Sequence, residues 1–128
     1  MAVKIPVSWG ELFDKLTILE IKQVRISDPK KLINIDKEFE ALSGVYRGST
    51  LPGAPLQELI DELRRTNEAL WEIEDDIRNC ERTKDFSERF IELARSVYKT
   101  NDKRADLKLR INRLLGSELI EEKSYEKY

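Results

Sequence analysis

Two long stretches of the chain carry apolar residues at alternating intervals of three and four positions, and this pattern constrains the fold more than any other feature. The apolar positions of the first stretch are Leu56, Ile60, Leu63, Leu70 and Ile77. Those of the second stretch are Phe86, Phe90, Leu93, Val97, Ile111 and Leu114. Such spacing places the apolar side chains along one side of a helix and is typical of coiled-coil packing. It predicts helices over residues 55–82 and 85–115, which the short connection between them makes antiparallel neighbours.

Two shorter helices are predicted before this hairpin. Ser8 and Glu11 have the spacing of a capping box, and they predict a first helix over residues 9–26. Asp28 is suited to cap a second helix over residues 29–44, because the proline that follows it is tolerated in a first helical turn. Together the four segments predict an all-α protein.

The length of 128 residues fits one domain. We therefore expect a single helical domain over residues 1–128, a bundle built on the long antiparallel hairpin plus the shorter N-terminal helix pair. Residues 1–7 alternate apolar side chains around a proline and predict an extended arm. Residues 117–128 are too polar to form a core alone and predict a C-terminal tail.

The composition narrows the chemistry open to the chain. It contains no histidine, which excludes Ser-His-Asp and Cys-His catalysis and any His-ligated metal. Its single cysteine, Cys80, excludes an intrachain disulfide and favours a reducing compartment. The 23 Lys and Arg residues nearly balance the 25 Asp and Glu residues, which argues against a nucleic-acid partner. Because no apolar run approaches the ~18 residues that span a bilayer and no targeting segment is recognisable, we expect a cytoplasmic protein without a membrane partner.

One acidic stretch, residues 72–76, invites a magnesium interpretation because carboxylates are ligands of that ion. The other acidic pair of the same predicted helix, within residues 58–61, lies nearly four turns away, too far to share one ion. We therefore expect a solvated anionic face, with no metal and no cofactor.

Polar residues interrupt the apolar stripes of both long helices. Folding the hairpin at its turn places Asn67 level with Asn101, with Arg104 one turn further along, and places Glu74 level with Arg95. Burying such groups costs a few kcal/mol, roughly, unless they are paired. Three interpretations stay open: the residues fix the register of the helices, they face a polar pocket between them, or they are exposed to solvent.

The first helix contributes further candidates. Thr17 lies among apolar residues, and its hydroxyl needs a partner at the edge of the core. The charged residues of this helix mostly suit a solvated face. The complete candidate polar site is Asp14, Lys15, Thr17, Glu20, Asn67, Glu74, Asn101, Arg104 and Lys108.

Several segments together carry a resemblance to a known family. They are residues 9–22 (WGELFDKLTILEIK), 90–98 (FIELARSVY), 101–102 (ND) and 121–125 (EEKSY). Over nearly its whole length the chain resembles a small family of uncharacterised bacterial and phage proteins, with relatives associated with sugar-transfer and cell-surface polysaccharide genes. The resemblance implies no established activity, and it implies recurring polar positions at Asp14, Lys15, Thr17, Glu20, Lys22, Asn101, Asp102, Arg104, Lys108 and Asn112.

Two functional hypotheses follow. The first, which the heptad pattern favours, is a binding or interaction module in which the long helices mediate self-association into a homo-oligomer. The second is an enzyme or binder that acts on a phosphorylated or sugar-nucleotide compound. In that case Arg104, Lys108 and Lys15 would hold the anion, and carboxylates among the candidates would supply acid–base groups.

Overall fold

A computed structural model describes all 128 residues of the chain as four α-helices without strands. The helices are α1 (Trp9–Arg25), α2 (Pro29–Tyr46), α3 (Ala54–Thr83) and α4 (Glu88–Leu115). The antiparallel hairpin of α3 and α4 has the most extensive contact, and α1 packs against each of the other three helices. The prediction of an all-α bundle built on this hairpin is confirmed. None of the four helices is long and apolar enough to cross a membrane.

Local side-chain contacts explain where the helices begin. The Ser8 hydroxyl accepts a hydrogen bond from the Glu11 amide at 3.2 Å, which is one half of the predicted capping box. The Glu11 side chain does not complete the box, because it reaches across to Lys108 on α4 instead. α4 begins three residues later than predicted, since Asp85 accepts a hydrogen bond from the Ser87 amide at 3.1 Å and forms a turn before the helix.

Both helices of the hairpin end on a residue in the left-handed conformation. Gly116 closes α4 with φ of 61°, as its place after the last apolar position predicts. Lys84 closes α3 with φ of 59°, and the Asp85 amide then donates to the Cys80 carbonyl at 2.8 Å. A non-glycine residue carries a steric cost in this conformation, which the hairpin turn imposes on Lys84.

The buried core lies at one end of the hairpin, where α1 covers it. Its seven buried apolar residues come from α1, α3 and α4, and they are Leu12, Phe13, Leu16, Leu56, Leu63, Leu107 and Ile111. α1 has 17 residues and is about 25 Å long, whereas the 30 residues of α3 extend about 45 Å. α1 therefore leaves the far part of the hairpin uncovered, and two helices alone cannot enclose their shared face. Between Asn67 and Leu107 the only buried residue is Cys80.

Gly10 sets the distance between α1 and α4. A Cβ at this position would overlap the backbone carbonyl oxygen of Lys108. The Gly10 amide, one of the unsatisfied donors of the first helical turn, donates to the Asn112 side-chain oxygen at 2.7 Å. This close approach brings the polar residues of α1 within reach of those on α4.

Candidate functional site

Asp14 is the centre of a buried polar network, and its side chain is 1% exposed. Arg104 of α4 donates to both carboxylate oxygens, from Nε at 2.9 Å and from Nη2 at 2.5 Å. Asn67 of α3 donates through Nδ2 to Asp14 at 3.0 Å and to the Thr17 hydroxyl at 3.0 Å. Thr17 in turn donates to the Asp14 carbonyl at 2.8 Å. One carboxylate therefore joins α1, α3 and α4, and its burial is compensated by three hydrogen bonds.

The partner of Asn67 differs from the one that hairpin register suggests. Asn101, predicted level with Asn67, is exposed on the rim of a cleft. α1 lies over the hairpin seam at this level, and its Asp14 and Thr17 present oxygen atoms to the Asn67 amide. The partner of Asn67 therefore comes from α1, whereas alignment of the two hairpin helices alone predicts a partner on α4.

Lys108 extends the network toward the surface. Its Nζ lies 2.7 Å from Glu11 Oε2, 3.4 Å from Glu121 Oε2 and 4.0 Å from Asp14 Oδ2, and its side chain is 11% exposed. The hydrogen bond that Arg104 donates to Asp14 raises the pKa of Arg104, although partial burial alone would lower it. Two cations and three carboxylates thus meet at the junction of α1, α4 and the C-terminal tail.

A cleft of about 1000 Å³ opens beside this junction, between α4 and the tail. Its charged lining comprises four carboxylates, those of Glu11, Asp102, Glu121 and Glu126. It also comprises four cations, those of Arg104, Lys108, Lys123 and Lys127. The aromatic lining consists of Tyr98, Tyr125 and Tyr128. A cleft with this composition offers both hydrogen-bonding groups and flat apolar faces to a small polar molecule.

The tail wall of the cleft is tied to α4 through Tyr128. Its ring meets the Tyr98 ring edge-on with centroids 5.0 Å apart. A hydrogen bond with Asp102 raises the pKa of the Tyr128 hydroxyl. The tail is also attached at its start, where the Trp9 amide donates to the Ser117 hydroxyl at 3.3 Å.

Two of the candidate residues lie at the margin of this arrangement. Lys15 is half-exposed and lies 3.5 Å from Glu11, so it faces the N-terminal arm rather than the cleft floor. Asn101 lines the cleft with its side chain exposed. Both are within the same region of the surface as Lys108.

The two remaining candidates lie apart from it. Glu20 pairs with Arg64 of α3 at 2.7 Å, on the surface between α1 and α3. Glu74 forms an exposed pair with Arg78 one turn along α3, at 3.2 Å. Glu74 lies past the end of α1, and because no third helix covers the hairpin there, the position is half-exposed and needs no buried partner.

Several residues of the junction were not among the sequence candidates. Glu11 was assigned to the capping box, and only the distance to Lys108 reveals its second role. Gly10 carried a usable signal, since glycine in a first helical turn often marks a close backbone approach. Glu121 and Tyr125 belong to the segment 121–125 that carries part of the family resemblance. The two tyrosines of the tail are compatible both with docking on the bundle and with a frayed end, and the tail has no periodicity that decides between them. No group of three or more carboxylate or thiol side chains is arranged to hold a metal ion.

Comparison with known proteins places the chain in a family. No curated protein and no solved structure matches it significantly. A family model, described as a family of unknown function, matches residues 3–128 and so includes the helices, the junction around Asp14 and the tail. The chain therefore belongs to this family of unknown function (DUF6165).

Proposed function

We propose that the chain binds a small phosphorylated or sugar-nucleotide compound in the cleft between α4 and the C-terminal tail. The observation that carries this proposal is that Arg104 and Lys108, both held in place by buried or half-buried carboxylates, line a cleft whose other wall carries tyrosine rings. Guanidinium and ammonium groups with phenol rings suit a ligand that has both a phosphate and a ring.

The cations are preorganised for an anion. Arg104 uses Nε and Nη2 on Asp14, which leaves the hydrogens of Nη1 for another partner. Its side chain is 31% exposed, so the guanidinium is fixed from behind by Asp14 and accessible from the cleft. A donor that is already ordered loses little conformational entropy when a ligand binds.

The rim supports recognition of a ring and of hydroxyl groups. Tyr98 and Tyr125 offer aromatic faces that can pack against a sugar or a base, a contact that adds to simple burial. Asn101 and Asp102 both line the cleft and can donate to and accept from hydroxyl groups.

The state of the carboxylates favours binding over acid–base chemistry. Both Asp14 oxygens already accept hydrogen bonds from Arg104. Glu11 is paired with Lys108 at 2.7 Å. A general base needs a lone pair that is directed at the substrate proton. In Asp14 and Glu11 the carboxylate oxygens are directed at cations of the same chain instead.

Thermal-shift measurements followed by calorimetry would test the proposal, with inorganic phosphate, pyrophosphate, glucose 1-phosphate, UDP and UDP-glucose as probes. We expect a saturable stabilisation by at least one probe. Asn101→Ala should weaken that binding by about threefold to tenfold, the usual effect of one lost hydrogen bond. Asn79→Ala, at an exposed position of α3 outside the cleft, is the matched control. Unchanged melting curves with every probe at millimolar concentration would refute the proposal.

A second candidate function is self-association through the far half of the hairpin. There the seam residues Ile73, Ile77 and Leu93 are only half-buried, and Phe86 and Ile91 are exposed. Two such hairpins packed face to face would complete a four-helix arrangement, which would bury both seams.

Sedimentation equilibrium over a wide range of protein concentration would test this second candidate. We expect a monomer–dimer equilibrium that Ile91→Glu shifts toward monomer. Val45→Glu, which places the same charge at an exposed apolar position of α2, should leave the equilibrium unchanged. A strictly monomeric protein at high concentration would exclude self-association.

A further inference from the structure

The C-terminal tail, residues 117–128, lies across the cleft and supplies one of its walls. It contains no helix, and its apolar side chains, including Leu119 and Tyr125, remain exposed. Its side-chain contacts with α4 include the ion pair between Glu121 and Lys108, the edge-on packing of Tyr128 against Tyr98 and the hydrogen bond of Tyr128 with Asp102. Exposed contacts of this kind are individually weak, so the tail is attached without a core of its own.

We propose that this tail is a displaceable strap, in which the Glu121 carboxylate occupies the position that the ligand's anionic group takes on Lys108. The inference rests on the binding function proposed for the cleft and deepens it. It assigns the anion position to Lys108 and makes Glu121 an intramolecular competitor of any phosphate that enters.

The geometry singles out Glu121 among the three carboxylates around Lys108. Glu11 is the nearest, at 2.7 Å, and its backbone is fixed in α1. Asp14 is 4.0 Å away and is committed to Arg104. Glu121 lies at 3.4 Å, its side chain is 46% exposed, and it is the only one of the three on a segment without secondary structure. It is therefore the partner that can leave.

The charges around Lys108 allow such an exchange. Without Glu121, the two cations Arg104 and Lys108 face the two carboxylates of Asp14 and Glu11, and these four charges balance. A ligand phosphate would replace the negative charge that leaves with Glu121. The departing carboxylate keeps a counter-ion, because Lys123 lies 2.9 Å from Glu121 on the same strap. Release of the strap therefore leaves no unpaired charge behind.

The strap sets a minimum affinity that a ligand needs to displace Glu121 from Lys108. A group tethered by a short flexible segment competes as if it were present at an effective concentration in the millimolar range, roughly. An anion that binds Lys108 no better than a free carboxylate displaces it only at concentrations above this range. A phosphate that also contacts Arg104 displaces it at lower concentrations, because it gains a second charged donor.

Matched neutral substitutions in the strap test this competition. Glu121→Gln removes the carboxylate that meets Lys108, and Glu122→Gln makes the same change in net charge at the adjacent residue, which does not line the cleft. Calorimetry with UDP, glucose 1-phosphate and pyrophosphate, at one fixed salt concentration, would compare both variants with the wild type. We expect Glu121→Gln to tighten binding by about twofold to fivefold, the effect of losing one exposed ion pair. Glu122→Gln should bind like the wild type.

The outcomes separate the strap from the binding site. If the wild type binds a probe and the two variants bind it equally, the strap is refuted while the binding function stands. If neither the wild type nor Glu121→Gln binds any probe at millimolar concentration, both proposals fail. Equal melting temperatures of the two variants would show that a difference in affinity does not arise from a difference in folding.

Discussion

Replacement of Asp14 by asparagine should destabilise the protein more than any exposed substitution, because this carboxylate holds three helices together. Asparagine has nearly the same size and can still accept one hydrogen bond from Asn67. Its amide nitrogen, however, would then replace the oxygen Oδ2 that accepts from Arg104 Nη2 at 2.5 Å, so two donors would face each other there. The substitution would also leave Lys108 without one of the carboxylates near it, at 4.0 Å.

The structure sets the expected magnitude. Loss of one partner from a buried ion pair costs about 3–5 kcal/mol, because the other charge stays desolvated. Asp14 is 1% exposed but Arg104 is 31% exposed, so the guanidinium can regain part of its hydration. We therefore expect the free energy of unfolding to fall by about 2–4 kcal/mol. Asp61→Asn is the control, because Asp61 also pairs with an arginine, Arg64 at 2.9 Å, but is 41% exposed, so its loss should lower the free energy of unfolding far less than the loss of Asp14.

Urea denaturation of a double-mutant cycle would measure the pair directly. The cycle combines Asp14→Asn with Arg104→Gln. The double variant should lose less free energy of unfolding than the two single variants lose together. We expect a coupling free energy of about 1.5–3 kcal/mol, the range for residues in one network. A coupling within about 0.5 kcal/mol of zero, or an Asp14→Asn loss no larger than that of Asp61→Asn, would refute this account of the junction.

Three further substitutions test other parts of the structure. Gly10→Ala should destabilise by about 1–3 kcal/mol in thermal unfolding, although alanine is the better helix former, because its Cβ would overlap the Lys108 carbonyl. Lys84→Gly should stabilise by about 0.5–1 kcal/mol, because Lys84 has φ of 59°. The pKa of Glu121 should lie below its ordinary value of 4.5, mainly because of the hydrogen bond from Lys123, so Lys123→Gln should raise it in a carboxyl NMR titration. Since the folded-state pKa is lowered, this contact stabilises the protein above about pH 4.5, and its contribution is lost as pH falls through the lowered pKa.

The helices were predictable from the sequence because their signals are local. Periodicity, caps and the Gly116 stop depend on residues a few positions apart, and they predicted all four elements with errors of one to three residues at the ends. The late start of α4 is typical of what such signals miss. Asp85 and Ser87 are both residue types that commonly cap a helix. The observed hydrogen bond from the Ser87 amide to Asp85 shows that Asp85 forms the preceding turn and that Ser87 is the N-cap.

The polar junction was predictable only in part, because the partners of its residues depend on how the helices pack against each other. The sequence identified Asn67 and Arg104 as polar residues in apolar stripes, which is a property of each helix alone. The identity of their partner depends on how α1 crosses the hairpin, and that crossing is set by the contact of Gly10 with α4. The tail has no periodicity from which its path could be predicted, although its segment 121–125 carries part of the family resemblance, so the contact of Glu121 with Lys108 appears only in the folded chain.

Asp14 both connects the helices of the bundle and orients a side chain that lines the cleft. Asp14 accepts from Asn67 on the closed side and from Arg104 on the side of the cleft, so it fixes the helices and orients a cleft donor at once. We therefore expect any substitution of Asp14 to change both the stability of the protein and the proposed ligand binding. Function at this cleft must be separated from folding through exposed residues such as Asn101 and Glu121, whose side chains line it without supporting the core.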